Sequence, residues 1–311
     1  MGIVKIIVYL IGIFFIANAV IFGTYYFSEN PPSEILKSIG YNPGIQKEIN
    51  ASTEVIQFES NMRFNHNSIS FFMGQDCDDK KHVRMMKAFS QVMIETDNLI
   101  TFKPADKISA DITIICSEEN FETEKNVFIS GEGGPTEYFN LSFYPLIRKA
   151  KIILAKDSSC DEPITELHEL LHVFGFDHIN KAEFILYPYI ECKQKINPEL
   201  ISEIKRIYSI EPKAELYFTN VTAVKTGSYL NFSVQVRNEG LLNAEAVSLE
   251  VYANNKKIDT FDLKNIEIGI GQKFYVTNLK LPSSNVDRVI IKIIYSGTEY
   301  KKDNNEVELS V

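Results

Sequence analysis

No stripe of basic residues runs through this sequence, and 32 Lys and Arg stand against 41 Asp and Glu, for a formal charge of -9. The electrostatic footprint that nucleic-acid binding requires is missing. Cysteine is scarce: there are four, Cys77, Cys116, Cys160 and Cys192, and no two are spaced as CxxC. That spacing argues against a cysteine-ligated zinc site. The four suit either two disulfides, if the chain faces an oxidising space, or buried free thiols. Histidine is nearly as scarce, five in 311 residues. The remainder is 45% hydrophobic and 23% charged, a globular balance that excludes disordered and fibrous classes. The length suggests about two domains, each large enough for a core.

One stretch lacks charge altogether. From Ile6 to Phe27 every residue is uncharged and most are Ile, Val, Phe, Leu or Ala, close to the ~20 residues a helix needs to cross a bilayer. Lys5 precedes the run and Glu29 and Glu34 follow it, which favours a cytoplasmic N-terminus and a chain that continues outside. Residues 1–27 therefore read as a transmembrane anchor of a single-pass cell-membrane protein. The rival is a cleaved signal peptide and a secreted product, since Ala17-Asn18-Ala19 resembles a cleavage site. The apolar run continues through Val20, Ile21 and Phe22, beyond a normal signal core. Both readings place the rest of the chain outside the cytoplasm.

Residues 28–60 read as a spacer, broken by Asn30-Pro31-Pro32-Ser33 and Asn42-Pro43-Gly44. From 61 to 210 the pattern is mixed α and β. Strands are expected at Ser68–Met73, Leu99–Phe102, Ala110–Cys116, Thr136–Leu141 and Lys151–Ala155, with Gly131–Gly134 as a flexible loop. A helix over Asp79–Thr96 would put Val83, Met86, Phe89, Val92 and Met93 on its apolar face. A second runs from about Pro163 to Phe174, with proline in its first turn, and a third from Pro198 to Tyr208 behind an Asn197 cap. Glu211-Pro212 marks a boundary. Beyond it, six short strands are expected at Glu215–Thr219, Tyr229–Arg237, Ala246–Ala253, Lys256–Leu263, Lys273–Leu279 and Val289–Tyr295, a β-sandwich over 214–311.

The chemistry is concentrated in His168–His178, HELLHVFGFDH, which holds three of the five histidines. His168 and His172 are one helical turn apart, so both imidazoles can reach one ion. Glu169 lies beside the first of them, placed to act on the attacking water. Gly175 lets the backbone leave the helix, and His178 can return as a third ligand. Three neutral imidazoles leave a tetrahedral zinc with an open position, the arrangement of a catalytic site. The full pattern would arise by chance in a chain this long on the order of once in a hundred thousand.

This segment matches HExxHxxGxxH and resembles the metzincin zinc peptidases, most of all the matrixin-like ones, over residues 61–210. Ala110-Asp111-Ile112-Thr113-Ile114 is similar to a matrixin strand. The resemblance implies an α+β catalytic domain: a twisted mixed sheet above the active-site helix, an edge strand that binds substrate backbone by β-addition, and a C-terminal helix behind. It implies one catalytic Zn2+ on His168, His172 and His178, with Glu169 as general base. Two positions depart from the family. Ile185-Leu186-Tyr187-Pro188-Tyr189 puts Leu186 where the Met-turn methionine stands, and Ile179 follows His178 where matrixins carry serine. No cysteine precedes Cys77, so the matrixin cysteine switch is absent. The fold implied by the resemblance pairs Cys77 with Cys116 and Cys160 with Cys192. The C-terminal stretch, with Val234–Gly240 and Asp303-Asn304-Asn305, is similar to the Ig-like CARDB modules. It is expected to act as a spacer or to bind another protein.

The sequence thus points to a membrane-anchored extracytoplasmic zinc endopeptidase acting on protein or peptide substrates. The alternative is a tethered adhesion or interaction protein whose metzincin-like domain binds zinc but is catalytically silent. The retained Glu169 favours the enzyme, and Leu186 leans the other way.

Overall fold

The computed structural model describes residues 55–117, 121–122, 128–155 and 160–311, with the backbone alone for 121–122 and 128–129. The expected anchor and nearly all of the 28–60 spacer lie outside these residues. Among the described residues no helix is long and apolar enough to cross a membrane.

The first domain is α/β. Strands β1 (Ser68–Met73), β2 (Thr101–Pro104), β3 (Ile112–Cys116), β6 (Gly131–Phe139) and β7 (Leu146–Leu154) form a five-stranded sheet in the order β2-β1-β3-β7-β6. All pairings are parallel except β6–β7, so β6 is an antiparallel edge. Among the described residues, β4 (Phe121–Glu122) and β5 (Phe128–Ile129) pair with each other alone. Helix α1 (Asp79–Glu95) joins β1 to β2, α2 (Ile164–Val173) follows β7, and α3 (Pro198–Tyr208) closes the domain. α1 and α2 pack against each other, with α2 against β6 and β7.

Helix α1 starts where Asp78 accepts a hydrogen bond from the Lys81 amide at 2.7 Å. Its buried face is Met85, Ala88, Phe89 and Val92. Val83 and Met86, expected on that face, are 56% and 48% exposed. The helix is rotated because Arg84 turns inward to a buried ion pair with Glu166, Nε to Oε1 3.0 Å. Arg63 is fully buried and its guanidinium donates to the carbonyls of Ile207 (2.5 Å) and Ile210 (2.9 Å). It satisfies the last turn of α3, where a cation complements the helix dipole. Asn197 caps the opposite end of α3 through the Glu199 amide at 2.8 Å.

Gly131–Gly134 is not the flexible loop expected from its composition but the first half of β6. A Cβ on Gly133 would stand 2.3 Å from the Glu169 backbone oxygen, and one on Gly131 would stand 2.8 Å from the Glu169 side chain. Glycine here permits strand and helix backbones to approach, a role that composition alone does not separate from looseness.

Two main cores divide the described chain, one running from Met62 to Tyr208 and the other from Ala214 to Ile293. The second domain is all β. β8 (Leu216–Thr226), β9 (Tyr229–Asn238) and β12 (Gly271–Lys280) make a three-stranded sheet. β11 (Lys256–Ile266), β10 (Ala244–Ala253), β13 (Arg288–Ile294) and β14 (Glu306–Ser310) make a four-stranded one. β14 is a seventh strand beyond the six expected. Its shallow alternation of exposed and half-buried residues is an edge strand's, a weak signal in sequence.

Candidate metal centre

Every residue of α2 is buried, so polar side chains on it are costly unless they find partners inside the protein. His168 and His172 lie one turn apart on α2. The helix stops at Gly175, whose φ of +82° only glycine adopts freely, and whose missing Cβ leaves room for the Met62 sulfur. The reversed chain then brings His178 back. The ligand atoms of these three histidines all lie within 4.8 Å of one another, a group that can bind a metal ion.

The hydrogen bonds fix what the imidazoles present. His168 Nδ1 lies 2.5 Å from the Ile185 carbonyl, and His172 Nδ1 lies 2.6 Å from the Phe176 carbonyl. A carbonyl can only accept, so each Nδ1 carries the proton and each Nε2 keeps its lone pair. The two lone pairs face each other, with His172 Nε2 3.0 Å from His168 Nε2, and the Nε2 of the more exposed His178 lies 3.3 Å from His168 Nε2. Buried acceptors facing one another repel unless a cation lies between them. Tetrahedral ligands at ~2.0–2.1 Å from zinc are about 3.3–3.4 Å apart, so the spacing and the donor set both fit zinc. Burial depresses the histidine basicities, most with the help of neighbouring imidazoles. His168 falls to about 4, His172 goes well below the usual range, and His178 falls despite the opposing charge of Asp177. Neutral imidazole is the ligand form.

Glu169, next along α2, faces β6. Its carboxylate accepts the Gly133 amide, and burial, reinforced by the charges of Glu132 and Glu166, raises its pKa to about 8. Leu186 is 1% exposed within the core. The carbonyl of the residue before it, Ile185, lies on His168 Nδ1, and the Leu186 carbonyl accepts the Ile179 amide at 2.9 Å. Disulfides join Cys77 to Cys116 and Cys160 to Cys192. The second ties the segment before α2 to the segment after the Leu186 turn.

Two contributors escape the sequence reading. The end of the 28–60 stretch is not a free spacer: Gln57 bridges Phe176, the Phe58 amide donates to the Gly175 carbonyl at 2.7 Å, and the Asp177 amide donates to the Ile56 carbonyl at 2.8 Å. The Phe58 ring lies over His172, 6.1 Å between centroids. This segment holds the reversal that carries His178, and no periodicity in it announced the pairing. The Arg84–Glu166 pair is the other, a long-range contact between two helices that no local pattern encodes.

Comparison with known proteins bears mainly on the second domain. The CARDB family model matches residues 214–308. Residues 214–308 are a CARDB domain. No curated protein matches the chain. Among solved structures, the chain is similar to a domain of a protein described as a cell surface protein from Methanosarcina acetivorans. The identity is 13%, over 32% of this chain and 90% of that one, with a TM-score of 0.27. It is also similar to the CARDB domain of a Pyrococcus furiosus protein in complex with di-metal ions, at 15% identity over 32% and 86%, TM-score 0.24. A third similarity is to high choriolytic enzyme 1, a hatching-enzyme zinc protease of the medaka Oryzias latipes, at 10% identity over 50% and 99%, TM-score 0.35. The CARDB domain carries no histidine, and the three-histidine group lies in the α/β domain.

Proposed function

We propose that this chain is a membrane-anchored, extracytoplasmic zinc endopeptidase of the metzincin type. The observation that carries the reading is the convergence of the His168, His172 and His178 Nε2 atoms, with two of the three rings oriented by backbone carbonyls. Such second partners on the far ring nitrogen characterise ligating histidines. A zinc ion held there supplies Lewis acidity, polarising a scissile carbonyl and lowering the pKa of water.

The chain's own residues supply the rest. The Glu169 carboxylate takes the proton of the attacking water and returns it to the departing amine nitrogen. The buried α2 and the Gly133 amide hold that carboxylate in one place. β6 ends the sheet among the described residues, and its outer side is an edge to which an extended peptide can add as a further strand, main chain to main chain. The uncharged run from Ile6 to Phe27 supports the anchor, and the two disulfides suit an oxidising compartment. Leu186 keeps about the apolar volume of methionine at the turn, and the Ile185 carbonyl before it orients His168.

The test is cleavage of a broad peptide library by the full chain beside Glu169→Gln, with zinc content measured for both. The reading expects zinc in both proteins and turnover reduced at least ~100-fold in the variant, the worth of a positioned general base. Zinc without cleavage in the unmodified chain would instead favour the catalytically silent adhesion protein. Equal turnover in both proteins would refute the role of Glu169.

A further inference from the structure

The CARDB domain packs against the α/β domain. The described residues of both domains belong to one compact unit, and the contact falls around the connection between β6 and β7. Leu141 and Leu146 there form a small core with Leu241 and Ile268 of the CARDB domain, flanked by Phe139, Tyr144 and Tyr300. The Ser142 hydroxyl donates to the Glu239 carboxylate, which also accepts the Tyr217 hydroxyl at 2.5 Å. The Tyr144 and Tyr300 rings are 5.4 Å apart. Phe139, the last residue of β6, lies over Gly269. A Cβ on Gly269 would come within 2.9 Å of the Phe139 ring, and its φ of +75° already favours glycine.

The place of this grip matters because of how β6 is built. The β6–β7 register is broken on both sides of Glu137, between Pro135 and Glu137 and between Glu137 and Tyr138. Before the break, Gly131 and Gly133 press on Glu169 of α2. After it, only Tyr138 and Phe139 pair with β7, opposite Ile147 and Leu146. An edge strand has ladder bonds on one side only, and two pairs beyond a bulge hold weakly without another partner.

We propose that the CARDB domain is a positioning element for β6: Leu241, Ile268, Glu239 and Gly269 hold the far end of the edge strand, so that peptide binding along β6 depends on the second domain. The link to peptide binding rests on the peptidase reading. The grip itself does not.

The test uses the full chain with Leu241→Asn, which puts an amide into the small apolar core, Leu241→Met as the conservative control, and Ser142→Ala. Amide hydrogen exchange is read along β6, and KM and kcat are read on a peptide substrate. In Leu241→Asn, exchange at Glu137–Phe139 should rise about tenfold while Gly131–Gly133 keeps its protection. KM should rise about tenfold, the factor that one good hydrogen bond is worth, with kcat within about twofold. Leu241→Met should match the unmodified chain. Ser142→Ala should shift the same amides and KM in the same direction by a few-fold, and it decides the matter if Leu241→Asn fails to fold. Unchanged exchange and KM in a folded Leu241→Asn overturn the proposal. Raised exchange in a chain that binds zinc but cleaves no peptide supports the grip and refutes the peptidase reading.

Discussion

Replacing Gly133 by alanine adds one methyl group at a close approach between β6 and α2, the helix that carries His168 and His172. The new Cβ would stand 2.3 Å from the backbone oxygen of Glu169 and 2.8 Å from its Cα. Ordinary carbon contacts lie near ~3.5 Å, so strand and helix must part by about 1 Å. Both partners are backbone, and no side chain can swing away. Overpacking of this kind costs about 1–3 kcal/mol. In a domain of this size that lowers the unfolding midpoint by roughly 2–12 °C. Gly134 is the internal control, because a Cβ there meets nothing within 4 Å. Gly134→Ala should stay within about 0.5 kcal/mol of the unmodified chain. The assay is thermal unfolding of the three proteins, with peptide turnover alongside. Gly133→Ala should lose turnover beyond its loss of stability, since Glu169 moves with the helix. Indistinguishable midpoints for the two alanine variants would refute the claim that these glycines exist for close packing.

Three other outcomes can be checked by simpler means. Leu186→Met should leave zinc content unchanged and shift stability by less than about 1.5 kcal/mol, because the turn reaches His168 through the Ile185 carbonyl; loss of zinc in this variant would contradict that assignment. Cys160→Ser with Cys192→Ser opens a bridge of sequence separation 32, and chain entropy puts the loss at about 3–4 kcal/mol, readable in denaturant midpoints. Asp111 is penalised by burial, but hydrogen bonds from His66 and Ser70 more than offset this and hold its pKa below the ordinary value. A carboxylate whose folded pKa is depressed contributes stability above its unfolded pKa and loses it as pH falls through the folded one. Asp111→Asn should therefore flatten the acid side of the stability curve below pH ~4; an unchanged slope there would remove Asp111 from the account.

Where local chemistry decides the outcome, the sequence was legible. β1 and α3 fall on their expected residues, since an alternating apolar run and an asparagine cap followed by proline are self-contained signals. His168, His172 and His178 come together because helical spacing and one glycine suffice to converge them. The sulfur pairs were legible only through the resemblance, not from their spacing. What stayed hidden depends on contacts distant in sequence. The rotation of α1 is set by Arg84 reaching Glu166, 82 residues away. The glycines of β6 look like a loop until α2 is placed beneath them. Residues 56–58 carry no pattern, yet they pin the chain reversal at Gly175. The CARDB domain read as a separate sandwich because its own strands are regular, whereas its attachment to β6 involves single residues scattered from Glu239 to Tyr300.

The central claim is that three histidine nitrogens hold one zinc ion. Elemental analysis of the purified full chain, combined with X-ray absorption at the zinc edge, tests it directly. The account predicts one zinc per chain with imidazole nitrogens at ~2.0–2.1 Å, lost in His172→Ala. A chain that takes up no zinc, or that holds it equally well without His172, would contradict it.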